Sequence, residues 1–467
     1  MFYPIPRPKR FDFTQAYCRI PAAIRCEEAE FMPAITSFCA YAAKAWGVEF
    51  REDDGGICVV YDWSLEWDYR IEVTDVVTVT AGDPEGLNHA FATLLQIGEA
   101  EDGQIGFYRG IAEDLPDSAW RGISLDLARG WYPMEYVFKI ADLCWFYKID
   151  RLQLHLTDTE NVRFPFVSYP DAVSEQHYTP VQIRSLVRYC EDRGVTLVPE
   201  LDAPGHCLPF NRAYPDTFGT TENVMRASEK TFDALKELYG ELAEAFPNSP
   251  WIHVGGDEVD HAKWEADEET CRYCKEHDVP IGKLYGHYVR RLTDIVRDLD
   301  RDPLVWEGFP KECNDLISKD VTVFGWESLY QLAPDLLAAG FPVLNASWKP
   351  LYIVPRKKMW DPEVILKWEK NRWENWWEKS PASVAPIVVP EDSPIDGGQV
   401  CVWGDVMKHA QKEEPLEDLL NEELGDIRPR LPALAEKTWN SYYEPDIPAF
   451  MEDWKRLDPV YGKLIEK

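Results

Sequence analysis

The chain has 467 residues, 82 of them acidic and 49 basic, giving a formal net charge of −33 with 45% hydrophobic residues. That negative surplus repels phosphate backbones and anionic membranes, so nucleic acid is excluded as an expected partner, while the apolar share suffices for a large buried core. The opening MFYPIPRPKRF lacks a charged region followed by an apolar one, and no later apolar run has the length to cross a bilayer, so the expectation is a cytoplasmic protein that does not engage membranes.

Residues 1–115 are expected to form a small α/β unit. Tyr69 to Val73 and Val76 to Thr80 are β-branched, partly alternating runs, and Asp83-Pro84 opens an apolar helical face as a cap followed by proline at the first turn. A boundary falls in the polar stretch Glu113-Asp-Leu-Pro-Asp-Ser118, leaving 116–467 as a second domain.

From Trp120 onward, apolar strand-like runs alternate with amphipathic helices. The strands read as Gly122 to Leu127, Arg151 to Thr157, Thr196 to Leu201, Ile252 to Gly255, Pro303 to Trp306, Val321 to Trp326, Pro342 to Ala346 and Gln399 to Trp403. Helical patterns lie between most of them, among them Glu135 to Tyr147, Pro180 to Arg193, Phe232 to Phe246 and Lys283 to Leu299, and Pro429 to Trp439 follows the last strand. Eight strands with crossover helices specify a (β/α)₈ barrel, an α/β fold of the TIM type, better than an open doubly wound sheet.

The acids fall at one end of these strands. Asp158, Asp202, Asp257, Glu258, Glu307, Glu327 and Asp405 all stand at or just past a strand's C-terminal end, the face where barrel active sites lie. Helix capping accounts for some, but not for the tryptophan before several of them, as in Trp306-Glu307, Trp326-Glu327 and Trp403-Gly-Asp405. An aromatic wall beside an acceptor suits a sugar ring with its hydroxyls. The densest point is Trp251-Ile-His-Val-Gly-Gly-Asp257-Glu258, where a buried strand gives way to two glycines and two adjacent carboxylates, a pair able to divide acid and base work. No phosphate-binding glycine loop or dinucleotide fingerprint is present. The 11 cysteines are odd in number and scattered, which suits reduced thiols, and Cys271-Arg-Tyr-Cys274 with His277 lacks the second ligand pair that zinc requires, so neither metal nor cofactor is expected.

Taken together, Arg121-Gly-Ile-Ser-Leu-Asp126 with Ala128-Arg129, His155-Leu-Thr-Asp158, Pro199-Glu-Leu-Asp202 with Pro204-Gly-His206, His253-Val-Gly-Gly-Asp257-Glu258 and Pro429-Arg-Leu-Pro-Ala-Leu-Ala-Glu436 resemble, in order and spacing, glycoside hydrolase family 20, the β-N-acetylhexosaminidases. The resemblance runs from about Asp83 to Trp439 and implies a small α/β domain before the barrel. It implies an exo-acting, retaining enzyme that removes terminal β-linked N-acetylhexosamine from glycans. In that reading Glu258 is the general acid, Asp257 orients the substrate's 2-acetamido group as nucleophile, Arg121 grips hydroxyls of the terminal sugar, and Asp158 with His206 supports Glu258. Trp306, Trp326 and Trp403 are the pocket walls, Tyr352 closes on the acetamido oxygen, and Glu327 and Asp405 contact the sugar.

Adjacent carboxylates also fit this mechanism on physical grounds. An enzyme nucleophile and an acid flank the bond about 5 Å apart, normally from different strands, whereas Asp257 and Glu258 suit two neighbouring points on one face. An ionised Asp257 would further help Glu258 keep its proton. Three positions depart from the family pattern: Val162 for tryptophan, Val354 for aspartate, and Asp405 for glutamate. A Trp-rich insertion at 357–390 reads as a lid or rim beyond the terminal sugar. Two other readings stay open, a non-catalytic carbohydrate-binding barrel and a glycosidase using Glu327 as its own nucleophile.

Overall fold

The computed structural model describes residues 2–53 and 55–466. The N-terminal unit is a twisted, mostly antiparallel sheet. Its long edge strand Arg10–Pro21 lies beside Gln104–Asp114, and Tyr69–Val73, Val77–Ala81 and Ile57–Tyr61 follow in order. Tyr69–Val73 and Val77–Ala81 each bury every second residue, so one face packs beneath helices Met32–Trp46 and Pro84–Ile97. Asp83 caps the second of these by accepting from Gly86 N, with Pro84 in its first turn, and Phe38 stacks on Phe91 between the two helices at 4.3 Å.

Eight parallel strands then close into a barrel: β1 Trp120–Asp126, β2 Arg151–His155, β3 Thr196–Glu200, β4 Trp251–His253, β5 Asp302–Trp306, β6 Thr322–Gly325, β7 Val343–Asn345 and β8 Ile395–Val402. Each pairs with the next, and β8 pairs with both β7 and β1, which completes the ring. Every residue of β1 is buried, as expected of a strand with core on one face and helices on the other. All eight sequence-expected strands are present; most end one or two residues earlier than expected, β1, β4 and β5 begin one or two residues earlier, and β8 begins at Ile395, four residues before the expected Gln399.

Inside the ring, Trp120, Val198, Leu304, Phe324, Leu344 and Cys401 form an inner core that ends upward in Trp306, Trp326 and Tyr352. The pocket described below is therefore the open end of the barrel's own packing. Tyr352 reaches it because Tyr352–Ile353 adds a short parallel strand against Cys401 and Val402 of β8.

The last barrel helix departs from expectation. It spans Leu416–Trp439 and carries Pro429 and Pro432 inside it, whereas the sequence pattern placed its start at Pro429. Proline is most easily tolerated in a first turn, so its position misled the sequence reading. Helix Ile447–Ile465 follows and returns to the N-terminal unit, where Lys44 Nζ donates to the Leu464 carbonyl and Lys463 Nζ to that of Ala45.

The two units share buried polar ties. Lys148 and Asp114, both fully buried, pair at 3.1 Å, and the Asp114 carboxylate also accepts from Tyr69 and from Trp439 Nε1. Among the described residues, no helix is long and apolar enough to cross a membrane.

Candidate active site

The site is built at the C-terminal ends of β1 to β8. After β4 the chain turns through Gly255 (φ +71°) and Gly256 (φ +88°), and each glycine is required. A Cβ on Gly255 would lie 1.8 Å from Asp202 Oδ1, and one on Gly256 would lie 2.7 Å from Val305. The turn lets Gly256 N donate to Asp202 Oδ1 at 3.1 Å and delivers Asp257 and Glu258 to the barrel mouth. Glu258 itself holds φ +51°, as does His206, a conformation that costs a non-glycine residue about 1–3 kcal/mol. These two strained residues meet, with His206 Nε2 donating to Glu258 Oε2 at 3.1 Å.

Asp158 anchors a charged chain behind that contact. Its carboxylate faces His206 Nδ1 at 3.3 Å, Arg129 Nη2 at 2.7 Å and His155 Nε2 at 2.9 Å. Burial opposes its ionisation, but Arg129 and His206 overcome it and hold Asp158 well below the usual carboxylate range. His155 lies between Asp158 and the fully buried Glu200, 2.8 Å from the latter, and despite burial these carboxylates, Glu200 foremost, hold it as an imidazolium. Burial likewise opposes protonation of His206, and Asp158 raises it well above its ordinary value.

The carboxylate pair is split in the opposite sense to the sequence expectation. The hydrogen bond from His206, together with the charges of His206 and Arg129, outweighs partial burial and pulls Glu258 down. Burial pushes Asp257 up to about 7, with Glu258 and Glu200 adding to it and His206 opposing. Asp202 is likewise raised by burial and by Asp257. The cause is position. Glu258 is half-exposed and receives a cation, whereas Asp257 is enclosed beside another acid.

Asp257 Oδ1 is buried and has no hydrogen-bond partner among the described residues. A buried acceptor left unpaired costs roughly 1–3 kcal/mol, so this atom is set to receive a donor from outside the protein. Around it stand aromatic rings. Trp326 is parallel to Tyr352 at 6.2 Å, Trp348 lies 5.3 Å from Tyr352, and Trp403 lies 6.0 Å from Tyr352 and carries the Arg129 guanidinium 5.1 Å above its ring. Trp326 is fixed by donating from Nε1 to the Glu307 carbonyl.

Other sequence-predicted residues lie as follows. Trp306 is fully buried, its Nε1 donating to Glu200 at 2.7 Å, so it is floor beneath the pocket rather than wall. Glu327 is buried, and burial, with the charges of Glu258, Glu307 and Asp257, pushes it up to about 8 against the opposing charge of Lys379. Glu307 accepts from the backbone N–H groups of Ser328, Leu329, Tyr330 and Gln331, which makes it a loop anchor. Asp405 pairs with Lys357 at 2.9 Å on the rim.

Arg121 requires correction. It begins β1 at the opposite end of the barrel, buried against Asp150 at 2.8 Å and donating to the carbonyls of Ser118 and Lys148, with Glu85 of the N-terminal unit 3.5 Å away. Five residues of strand, at about 3.3 Å each, separate it from the mouth. The cation at the mouth is Arg129, past the strand's end, bonded to Asp126 and Asp158 and partly open to the pocket. The sequence motif contains both arginines, and their register on β1 was the signal that separates them. Trp348, four residues before Tyr352, was also missed.

For metal binding, Asp202, His206 and Asp257 offer ligand atoms within 4.8 Å of one another. Both His206 nitrogens face carboxylates as donors, so the ring has no lone pair to give in this arrangement. At the other candidate, the Cys271 thiol points to backbone carbonyls while His277 stacks on Tyr273 and faces Glu229.

A closed parallel barrel whose mouth joins adjacent carboxylates to a tryptophan-walled cavity defines the glycoside hydrolase class of protein. The family model for the glycosyl hydrolase family 20 catalytic domain matches residues 119–442, and the chain belongs to that family. It is 24% identical to human β-hexosaminidase subunit beta over 374 residues, 75% of this chain and 60% of that protein, so the chain spans about three-fifths of that relative's length. It is 26% identical to the β-N-acetylhexosaminidase of Cellulomonas fimi, covering 95% of this chain and 90% of that one. In structure it is similar to the family 20 exo-β-N-acetylglucosaminidase of Vibrio harveyi in complex with N-acetylglucosamine, with TM-score 0.83 and 22% identity over 99% of this chain and 78% of that one.

Proposed function

We propose that this protein is an exo-acting β-N-acetylhexosaminidase that releases terminal β-linked N-acetylhexosamine with retention of configuration, the substrate's own acetamido group acting as nucleophile. The observation that carries this reading is the buried, unpartnered Asp257 Oδ1 beside Glu258 in an aromatic pocket. A plain glucoside offers no N–H to this atom, and a 2-acetamido sugar does. Accepting that N–H stabilises the ionised form of Asp257, so binding lowers its pKa from about 7 and supplies the negative charge that a developing oxazolinium requires.

The proton reaches the leaving oxygen through the His206–Glu258 pair. In the open site the shared proton sits on His206, with Glu258 half-exposed and ionised. A bound sugar strips water from Glu258, and an ionised carboxylate loses most from that desolvation, so the proton passes across the 3.1 Å contact and Glu258 becomes the acid. The Asp158 carboxylate holds the Nδ1–H of His206 and keeps Nε2 aimed at Glu258. As the glycosidic bond breaks, the acetamido oxygen closes on the anomeric carbon and the proton leaves with the aglycone. Water, deprotonated by Glu258, then opens the oxazoline. Tyr352, Trp326 and Trp403 restrict the acetamido group to its attacking geometry.

The names of the relatives support the same activity. A Glu327 nucleophile is disfavoured because a carboxyl raised to about 8 is protonated at neutral pH. The eleven thiols, none paired, support a reducing, cytoplasmic location as part of this reading. The deciding experiment compares aryl β-N-acetylglucosaminide with aryl β-glucoside, in the parent and in Glu258→Gln. Turnover is expected only for the first, with the variant losing most on poor leaving groups. Equal turnover of both sugars would overturn the mechanism, and binding without turnover would leave a lectin-like barrel.

A further inference from the structure

Two residues of the sequence motifs are left without a task by the mechanism above, His155 of His-Leu-Thr-Asp158 and Glu200 of Pro-Glu-Leu-Asp202. Each is the last residue of its strand, and the parallel register sets them side by side: Asp126 of β1 opposite His155 of β2, His155 opposite Glu200 of β3, and Glu200 opposite His253 of β4. These four residues are buried in one layer beneath the mouth, acid alternating with imidazole. Glu200 Oε2 lies 2.8 Å from His155 Nδ1 and accepts from Gln153 Nε2 at 2.8 Å, while its Oε1 accepts from Trp306 Nε1 at 2.7 Å and faces His253 Nδ1 at 3.3 Å.

From this layer an unbroken line of contacts runs to the proton donor. His155 Nε2 lies 2.9 Å from Asp158 Oδ2, Asp158 Oδ1 lies 3.3 Å from His206 Nδ1, and His206 Nε2 lies 3.1 Å from Glu258 Oε2. Asp158 thus divides its two oxygens between two imidazoles, with Arg129 Nη2 at 2.7 Å sharing the His155 side. A buried ion pair commonly stabilises a fold no more than apolar side chains of the same volume, so packing alone gives no reason for charge at His155 and Glu200. The consequence of that charge falls on Asp158. A cation on one oxygen of a carboxylate weakens its hold on a cation at the other.

We propose that His155, kept charged by Glu200, is a positioning residue for the general acid: it limits how tightly Asp158 holds the proton of His206, and so leaves that proton free to pass to Glu258. The inference deepens the function proposed above and rests on it. The charges facing His155 are Asp158, Glu200 and Asp126, and the ring of Trp403 meets it edge-on at 5.2 Å. Those facing His206 are Asp158, Glu258, Asp202 and Asp257, with Arg129 on the far side of Asp158. Two cations on opposite oxygens of one carboxylate stand roughly 6–7 Å apart, and at an effective dielectric of about 20 their repulsion is worth roughly one to two pH units. Removing the His155 charge therefore raises His206 further, and the His206–Glu258 pair keeps its proton to higher pH while giving it up less readily.

The test compares His155→Gln, and the double variant that adds Glu200→Gln, with the parent in kcat and kcat/KM profiles against pH. The substrates are N-acetylglucosamine β-linked to a second N-acetylglucosamine, a poor leaving group, and an activated aryl β-N-acetylglucosaminide. A glutamine at 155 still donates to Asp158 and accepts from a glutamine at 200, so the double variant removes both charges and leaves neither partner buried alone. Both variants are expected to move the alkaline limb on the disaccharide upward by roughly one unit, opposite in sign to the displacement expected for Asp158→Asn, and to lower kcat on it about tenfold, with a much smaller loss on the aryl substrate. Tm is expected to fall in the single variant and to recover in the double, while the displaced limb persists. A limb that stays in place or moves downward, a limb that returns to the parent's position as Tm recovers, or equal losses on both substrates would mean that the pair only holds the barrel and the Trp403 wall together. Any of these overturns the inference while leaving the enzyme in place. A parent that turns over neither substrate would instead overturn the proposed function, and this inference with it.

Discussion

Replacing Asp158 by asparagine removes the charge on which the proton chain is built while keeping the side chain's shape. The Asp158 carboxylate lies 3.3 Å from His206 Nδ1. An opposite charge at such range shifts a pKa by roughly 1–3 units, or about 1.4–4 kcal/mol at the usual conversion. The sign follows from His206. Its folded value is raised, so the His206–Glu258 pair keeps its shared proton up to that raised value and loses it as pH rises through it. Without the charge the value falls. The alkaline limb of kcat/KM is therefore expected to move to lower pH by about 1–3 units on a substrate with a poor leaving group. An activated aryl substrate needs the proton less and should show a shallower limb. Asp158 also faces Arg129 and His155, and breaking a buried pair costs about 3–5 kcal/mol, so profiles are to be taken well below the variant's Tm. An alkaline limb that stays in place, or moves upward, would refute the role given to Asp158 and His206.

Further outcomes follow from the same geometry. Arg121→Gln is expected to cost about 3–5 kcal/mol of stability through its broken pair with Asp150 and to leave KM unchanged. Arg129→Gln should lower kcat/KM roughly tenfold to a hundredfold, the worth of a charged hydrogen bond of about 1.5–3 kcal/mol; the reverse pattern in paired denaturation and kinetic measurements would restore Arg121 to the site. Glu423 is fully buried, accepts from Tyr132 and Tyr136, and is pushed by burial from 4.5 to about 7. Its contribution is fully present below the unfolded value and is lost as pH rises through about 7. Between pH 4.5 and 8 the parent should thus lose about 3 kcal/mol more than Glu423→Gln in chemical denaturation, and matching losses would contradict this. At the rim, Val354 offers no polar contact and Asp405 is already paired with Lys357. The preference between gluco and galacto N-acetylated substrates is accordingly expected to stay under about a thousandfold, or 4 kcal/mol, and a larger ratio of specificity constants would sink that expectation.

The barrel was legible because each strand is a short apolar run and all but β7 end in or lead into an acid, and the parallel ring needs little more than that pattern. The adjacent carboxylates Asp257 and Glu258 were legible as a candidate site because the two glycines before them have one structural use, to pass Asp202 and Val305. What stayed hidden depends on neighbours distant in sequence. Arg121 and Arg129 belong to one motif, yet one strand length puts them at opposite ends of the barrel. The order in which Asp257 and Glu258 titrate is set by His206, about fifty residues away in sequence and adjacent only in the fold. Trp306 and Glu307 have the pattern of wall and ligand, but one supports Glu200 from below and the other ties down the backbone of 328–331.

The central claim is that the acetamido oxygen attacks the anomeric carbon while Asp257 holds the amide. The most direct measurement is the inhibition constant of the N-acetylglucosamine-derived thiazoline, which mimics the bicyclic intermediate, set against that of N-acetylglucosamine itself. The account predicts binding at least about a hundredfold tighter, the lower end of what analogues of high-energy species reach, with most of the advantage lost in Asp257→Asn. A thiazoline that binds no more tightly than the plain sugar would contradict it.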